Sequence, residues 1–218
     1  RPVTLYQEVH CNKTKEKPAT HKAFLKTLHA MLPSNCRPII VTDAGYKSPW
    51  FRAVRALGWD IIGRIRKPHF YSLDRGDTWQ CIRYLYTQAT CRPKRFDNSQ
   101  IVRSNPFACT LVLFKQKSKG RHASNPDGTR KASKRSKAHA QGAKDPWLLA
   151  TTLASHRSLS KQVVAIYRQR MQIEEGFRDM KSTKFGLGYE QNKSVKKQRL
   201  TILVLLTTLA SLVAILLG

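Results

Sequence analysis

A strand, a helix and a second strand follow one another closely between residues 37 and 67. The run RPIIVTDAGY is short and apolar, as in a strand that is buried on both faces, and Asp43 lies near its end. Ser48, Pro49 and Gly58 suit the cap, the first turn and the end of a helix, and the apolar run WDIIGRIRK follows. Strands that are connected through a helix in this way are parallel, so the sequence predicts an α/β fold.

The N-terminal segments extend the same pattern. VTLYQEV has the composition of a strand, and HKAFLKTLHAML predicts a helix that Thr20 caps and Pro33 ends. Residues 1–67 are therefore predicted to form strand, helix, strand, helix and strand. An alternation of this kind is typical of α/β domains.

Beyond residue 67 the pattern changes to short strands with turns between them. Strand composition is found in HFYSL, WQCIRYLY, IVRSN, FACTLVLFKQK and PWLLATTL. Residues 115–144 are rich in basic side chains and contain almost no apolar ones, so we expect a mobile basic loop there. We accordingly expect a first core part at 1–67, an inserted β-rich subdomain at 68–158, and a final part at 159–218.

The excess of positive charge restricts the class of partner. The chain has 40 Lys and Arg against 13 Asp and Glu, a formal net charge of +27. Self-repulsion on this scale favours a polyanion as the usual partner, and nucleic acid is the commonest one. A basic nucleic-acid-binding protein without catalytic activity fits this composition equally well, so the charge alone leaves the activity open.

The cysteines indicate a reducing compartment. Their number is odd, no two of them form a CxxC pair, and they are spread thinly along the chain. We therefore expect reduced thiols and no zinc site, in a cytoplasmic protein. The cysteines are Cys11, Cys36, Cys81, Cys91 and Cys109.

The segment IYRQRMQIEEGFRDMKS, residues 166–182, places carboxylates among basic side chains on a long helix that is predicted over about 159–182. At about 100° per residue, one arc of roughly 60° contains Tyr167, Arg170, Glu174 and Lys181. Such a stripe could hold a phosphate while its carboxylate binds a metal. The simpler alternative is a helix with i,i+4 ion pairs such as Arg170–Glu174.

The neighbouring stripe of this helix is predicted to be buried. It consists of Ile166, Ile173, Phe177 and Met180. Glu174 borders this stripe, whereas Glu175 and Asp179 point away from it. Of the two adjacent glutamates, Glu174 is therefore the candidate functional residue.

The spacing Y-x2-R-x3-E-x6-K is specific, and with it the chain resembles the DDE transposases of bacterial insertion sequences. DAGYKSPW, RSKAHAQGAKDPWLLAT, RMQIEEGFRDMKS and FGLGYE are similar to the cut-and-paste enzymes of tetracycline-resistance transposons, and the resemblance runs along the whole chain. It implies an RNase H-like catalytic core in which carboxylates hold two divalent ions, Mg²⁺ or Mn²⁺. It also implies double-stranded DNA as the partner, at the transposon ends and at the target, and a dimer on paired ends for the full-length enzyme.

The resemblance assigns roles to individual residues. Asp43 matches the second catalytic carboxylate and Glu174 the third, and both would be metal ligands. Three residues match those that contact transposon-end phosphates, namely Tyr167, Arg170 and Lys181. Trp147 is similar to a tryptophan that stacks on a flipped base, although Met171 stands where a better-studied relative has a second tryptophan. From the residues alone, a turn-capping Asp43 and a strand-core Trp147 are the alternatives.

The family's first catalytic aspartate has no counterpart in this sequence. By resemblance, RPVTLYQEVH is the third strand of the core, so the first two strands and that aspartate are missing and the core is incomplete. Glu8 lies on an expected edge strand and is a poor substitute. We therefore expect this polypeptide alone to be inactive or nearly so, with DNA binding through the basic loop.

The apolar C-terminal run at residues 201–217 has two interpretations. It follows the basic run KSVKKQR and is at the lower end of the roughly 17–25 residues that a membrane-spanning helix needs. The alternative is a buried core helix on a sheet, and the transposase signature ahead of it favours this one. We expect a core helix and no membrane, and a membrane-anchored basic protein stays the rival interpretation.

Overall fold

The computed structural model of the chain describes most of its residues. The described residues are 3–66, 69–116, 129, 133, 145–183, 188–191 and 196–217. Nearly all of the predicted basic loop at 115–144 lies outside them.

A seven-stranded mixed sheet organises the described chain. Its strands are β1 (Ile39–Thr42), β2 (Asp60–Ile65), β3 (Phe70–Ser72), β4 (Gln80–Cys81), β5 (Lys94–Ile101), β6 (Phe107–Phe114) and β7 (Trp147–Thr151). The strand order is β1-β2-β7-β6-β5-β3-β4. β1 and β2 are parallel and the other pairs are antiparallel. The predicted α/β class is confirmed, and the strands after β2 extend the same sheet.

Six α-helices and one 3₁₀ turn complete the described elements. The helices are α1 (Pro18–Met31), α2 (Ser48–Ala56), α3 (Ile82–Tyr86), α4 (Leu159–Gln169), α5 (Met171–Lys181) and α6 (Lys197–Leu217), and the 3₁₀ turn spans Tyr189–Gln191.

The predicted unit of strand, helix and parallel strand is present as β1, α2 and β2. Gly58 has φ +74°, a left-handed conformation that a glycine adopts without steric cost, and it ends α2 as the sequence indicates. The last paired position of the two strands joins Thr42 to Gly63. Because the strands are parallel, their carboxyl ends meet at one edge of the sheet, where ligands bind in open α/β folds.

The chain divides into two compact units, each with its own buried residues. The first comprises Arg1–Pro38, Pro49–Trp59 and Ile166–Gly218, and the second Ile39–Ser48 and Asp60–Ala165. The predicted domain boundaries at 67/68 and 158/159 stay a prediction.

Aromatic side chains build the interior of the first unit. Trp50 packs against Phe24 with the ring centroids 6.4 Å apart and meets His21 edge-on at 5.3 Å. Leu25, Phe51, Val54 and Trp59 are buried in the same unit. Apart from Trp59, which lies just before β2, these residues come from α1 and α2, whose apolar faces therefore supply most of this core.

Apolar strand residues build the interior of the second unit. β7 is buried along its whole length, and β6 is buried on both faces from Leu111 to Phe114, as expected for inner strands of a covered sheet. Val163 and Leu159 of α4 are buried with them. The second unit therefore contains the sheet and most of α4.

The predicted strand at VTLYQEV is wrong, because the described residues 3–10 form no strand. A strand needs a neighbour for its backbone hydrogen bonds, and strand composition does not supply one. The segment is held by side chains instead. Tyr6 donates a hydrogen bond to Glu8, whose other carboxylate oxygen lies 2.6 Å from His10 Nε2.

Several predicted element boundaries also differ from the structure. α1 begins at Pro18 rather than after Thr20, because proline suits the first helical turn. WQCIRYLY is a two-residue strand followed by α3, which buries Ile82 and Leu85. In IVRSN, Ile101 ends β5 and the other residues form the turn after it, where Val102 has φ 65°.

The predicted long helix over 159–182 is two helices. They meet at Arg170, whose N–H donates to the Tyr167 carbonyl at 3.2 Å, while the N–H of Ile173 donates to the Arg170 carbonyl at 3.0 Å. These i→i−3 bonds are of the 3₁₀ type and interrupt the α-helical ladder. Helical periodicity continues through such an interruption, so the sequence pattern does not reveal it.

α6 forms where a helix is predicted, but none of its described side chains is buried. Its Thr208 hydroxyl donates to Gln7 Oε1 at 3.1 Å, and its Thr207 hydroxyl donates to Met180 Sδ at 3.4 Å. The opposite face is apolar and exposed, and the expectation of a buried core helix is therefore wrong for the described structure. By length and composition alone, α6 is also the one described helix that could cross a membrane.

Candidate active site

Asp43 directly follows β1, as predicted. The Gly45 N–H donates to Asp43 Oδ1 at 2.8 Å, and a Cβ on Gly45 would lie 3.0 Å from the same oxygen. Glycine therefore permits an approach that any larger residue would strain. This turn agrees with the turn-capping alternative for Asp43. The same hydrogen bond also orients the Asp43 carboxylate, which lies at the edge of the sheet where ligands bind.

Trp147 begins β7 and is 8% exposed. Its ring lies 5.7 Å from that of Phe114, its partner in the ladder between β6 and β7. This packing agrees with the strand-core alternative. A role in stacking on a DNA base stays a prediction.

The predicted stripe of Tyr167, Arg170, Glu174 and Lys181 is divided by the interruption at Arg170. Tyr167 belongs to α4 and is 1% exposed. Arg170 Nη1 lies 2.7 Å from Glu174 Oε1, with side chains 16% and 43% exposed respectively. The i,i+4 ion pair of the simpler alternative is therefore present, and it points the Glu174 carboxylate toward a guanidinium group.

One depression of about 410 Å³ brings two of the predicted residues together on α5. Its lining consists of Glu174, Phe177, Arg178, Lys181 and Ser182. Two cationic side chains thus flank one carboxylate, an arrangement that suits a bound phosphate. Arg178 was not predicted, because a single arginine gives no signal in a chain with this much basic charge.

The predicted burial along α5 is wrong. Ile173 is 47% and Phe177 is 54% exposed, and Glu174 does not border a core. Periodicity shows that apolar side chains share one face of a helix. It does not show that another layer covers that face.

The two predicted metal ligands belong to different units, Asp43 to the second and Glu174 to the first. Within the described part of the chain, no three His, Cys, Asp or Glu side chains lie close enough together to hold a metal ion. The pairing of Asp43 with Glu174 at a shared metal therefore stays a prediction. The cysteines are all unbridged, in agreement with the expected reduced thiols.

Comparison with protein families gives one match. The family model described as Transposase DDE domain matches residues 4–213. This span contains Asp43, Trp147, Glu174 and most of α6. A comparison with curated proteins finds no match.

Proposed function

The chain belongs to the transposase DDE-domain family, and from this premise we propose that it is the catalytic part of a cut-and-paste DNA transposase of a bacterial insertion sequence. The family comprises enzymes that bind DNA, cleave and rejoin it, and use divalent metal ions. The observation that carries the proposal is the family match over nearly the whole chain. A sheet with an aspartate at the carboxyl end of a parallel strand supports it.

Asp43 and Glu174 are the proposed metal ligands and catalytic carboxylates. Carboxylate oxygens are hard donors that suit Mg²⁺ or Mn²⁺, and one Asp43 oxygen is already oriented by the Gly45 N–H. Two such ions, when bound, would activate water or a 3′-hydroxyl and stabilise the departing 3′-oxygen. The residues present thus fit part of a two-metal site.

The remaining carboxylate is proposed to come from outside this sequence. β1 pairs only with β2 among the described strands, so its other edge could accept the two inner strands that the family's core requires. Cleavage by this polypeptide alone is therefore expected to be absent or very weak.

Phosphate contacts are proposed for Tyr167, Arg170 and Lys181, and base stacking for Trp147. Lys181 lies in the depression on α5 with Arg178, which supports the first role for Lys181. Tyr167 and Trp147 are buried and would have to become accessible on DNA binding. A full-length enzyme would act as a dimer on paired transposon ends in the bacterial cytoplasm, at the nucleoid.

Metal-dependent DNA binding tests the carboxylate assignment without requiring cleavage. A metal held between a carboxylate and a DNA phosphate adds affinity, so Ca²⁺ should tighten binding of a short duplex relative to EDTA. Asp43→Asn and Glu174→Gln are each expected to abolish this gain, whereas Asp77→Asn, at an exposed loop aspartate, should retain it. A Ca²⁺ gain that survives both substitutions would exclude this metal site.

A nicking assay with Mg²⁺ or Mn²⁺ tests the expected inactivity. Robust cleavage by the purified chain that disappears in Asp43→Ala would show that the active site is complete without another carboxylate. A DNA-binding protein without catalytic activity is the alternative outcome, and there Asp43→Ala and Glu174→Ala would leave every activity unchanged.

A further inference from the structure

Arg64 lies level with Asp43 across the two parallel strands. The last paired position is Thr42 with Gly63, and the next residues are Asp43, which follows β1, and Arg64 of β2. Paired residues of neighbouring strands project from the same face of a sheet, and side chains alternate between faces. Asp43, Arg64 and Arg66 therefore lie within three residues of the last paired position, at the carboxyl edge of β1 and β2.

β7 is the other neighbour of β2. Arg64 pairs with Leu149, so Trp147, two residues before Leu149 on β7, lies on the same face of the sheet as Arg64. Ile65 pairs with Leu148, and Arg66 is the residue that follows β2 at this end. Trp147 is the aromatic side chain for which base stacking is proposed. The arginine pair thus lies between the candidate metal ligand and the candidate stacking residue.

Both arginines are half-buried. Arg64 Nη2 donates to the Asp145 carbonyl at 3.3 Å. Burial and the Asp145 carboxylate raise the pKa of Tyr86 to about 12, while Arg64 and Arg66 act in the opposite direction. Both positive charges therefore act on the same tyrosine.

Cations outnumber carboxylates by one among the charged residues named for this edge of the sheet. Lys47 follows Asp43 in the connection to α2, and burial together with Lys47 lowers the pKa of His69, which lies just before β3. With Arg64 and Arg66 this gives three cationic side chains on the residues that border the edge, against Asp43 and Asp145. Half-buried guanidinium groups are weakly hydrated and present forked donors that match phosphate oxygens.

We propose that Arg64 and Arg66 form a phosphate-binding site for the DNA strand that enters beside Asp43. The inference rests on the proposed transposase function and adds two contacts to it that neither the signature nor the family match assigns. Each arginine would neutralise one phosphate of the bound strand. A purely structural role, such as the contact from Arg64 to Asp145, would not produce a specific dependence of DNA binding on salt.

The salt dependence of DNA affinity tests the proposal. Affinity for a short duplex is measured over a series of NaCl concentrations for the full chain and for Arg64→Gln and Arg66→Gln, with the thermal midpoint as a check on folding. Each substitution is expected to lower the slope of log affinity against log salt by about one, because one phosphate contact and its released counterion are lost. Arg103→Gln, in the exposed turn after β5, is the matched control for charge and should change the slope less.

Two results would overturn the proposal. One is an unchanged slope in both Arg64→Gln and Arg66→Gln, and the other is an equal fall in Arg103→Gln, which would show that only total charge matters. Should Arg64→Gln fail to fold, Arg64→Lys retains the charge and should keep the slope while affinity falls several-fold, because the forked donor is lost. Full affinity in Arg64→Lys would contradict a specific phosphate contact.

The test separates this inference from the proposed function. A lower slope in the arginine variants, together with a Ca²⁺ gain that persists in both Asp43→Asn and Glu174→Gln, would support the phosphate site and reject the metal site. Loss of the Ca²⁺ gain in the carboxylate variants, with unchanged slopes in the arginine variants, would support the metal site and reject the phosphate site.

Discussion

At the scale of single residues, the turn after β1 determines how Asp43 is presented. Its carboxylate accepts the Gly45 N–H at 2.8 Å, and a Cβ on residue 45 would crowd the same oxygen at 3.0 Å. A ligand held by a backbone donor is oriented before a metal arrives, which lowers the cost of binding. Gly45 is therefore a positioning residue in this account.

Gly45→Ala is predicted to weaken metal-dependent DNA binding without unfolding the chain. The new Cβ would lie 3.0 Å from Asp43 Oδ1 and push the carboxylate aside by a few tenths of an ångström. The Ca²⁺ gain in DNA affinity should fall, whereas Ala44→Gly in the same turn should keep it. Equal gains in wild type and Gly45→Ala would show that the turn does not position the ligand.

Glu174→Gln is predicted to change function far more than stability. The pair with Arg170 is partly exposed, and pairs of this kind stabilise a helix by only about 0.3–0.5 kcal/mol. Urea unfolding should therefore give nearly the same free energy for Glu174→Gln and for the neighbour Glu175→Gln. Only Glu174→Gln should abolish the Ca²⁺ gain; a loss of several kcal/mol would instead indicate a structural ion pair.

Cysteine reactivity gives a pH-linked prediction. Hydrogen bonds from Thr14 and the nearby backbone lower the pKa of the exposed Cys11 thiol, while burial raises the pKa of Cys109 to about 12. At mildly alkaline pH, Cys11 has the larger thiolate fraction, and the thiolate is the reactive form. Mass spectrometry after brief iodoacetamide treatment should find Cys11 modified before Cys109, and in urea the difference should disappear. Rapid modification of Cys109 in the folded chain would contradict its burial.

At the scale of elements, local signals predicted the unit of β1, α2 and β2 well. Ser48, Pro49 and Gly58 act through their own backbone and side-chain chemistry, so no knowledge of the tertiary structure was needed. The strand expected at VTLYQEV and the burial expected on α5 depend on a partner strand or a covering layer. Composition contains no information about such a partner, and both expectations failed.

The residues of the candidate site also divide into those that the sequence indicates and those that only the tertiary structure identifies. Asp43 was assigned by resemblance to the family, and it directly follows β1 as expected, while its role at a metal stays a prediction. Sequence reasoning missed three arginines, because basic residues are common throughout this chain. Strand register identifies Arg64 and Arg66 as candidates, and the depression on α5 identifies Arg178. The roles of the signature residues came from resemblance, and their functional tests are still to be made.

The outward face of α6 is predicted to tolerate polar substitutions. Leu209 and Val213 are about half exposed, so Leu209→Gln and Val213→Gln should change the free energy of unfolding little. Leu25→Ala, at a buried position of α1, should cost about 2–5 kcal/mol. Denaturant unfolding compares them, and a cost for Leu209→Gln equal to that of Leu25→Ala would mean that this face is covered. Retention of the wild-type chain in a membrane fraction would favour the membrane-anchored alternative.

At the scale of the whole molecule, the positive charge and the carboxylate site have to be considered together. A net charge of +27 supplies sequence-tolerant DNA affinity that should fall steeply with salt. Chemistry requires in addition that carboxylates far apart in sequence serve the same metal. The turn at Asp43 and the depression at Glu174 belong to one active site, of the kind that the family match implies, only if Asp43 and Glu174 bind the same metal.

Localised cleavage by bound iron tests this claim most directly. Fe²⁺ is bound to the purified chain on DNA in place of Mg²⁺, and H₂O₂ is added with ascorbate. The bound Fe²⁺ reduces H₂O₂ to hydroxide and a hydroxyl radical, ascorbate regenerates the Fe²⁺, and the radicals cut the polypeptide backbone near the ion. A shared metal predicts cuts around both Asp43 and Glu174. Asp43→Asn alone, or Glu174→Gln alone, should abolish the cuts at both positions. Cuts at only one of the two positions, or cuts at one that persist after substitution of the other, would contradict a shared metal site.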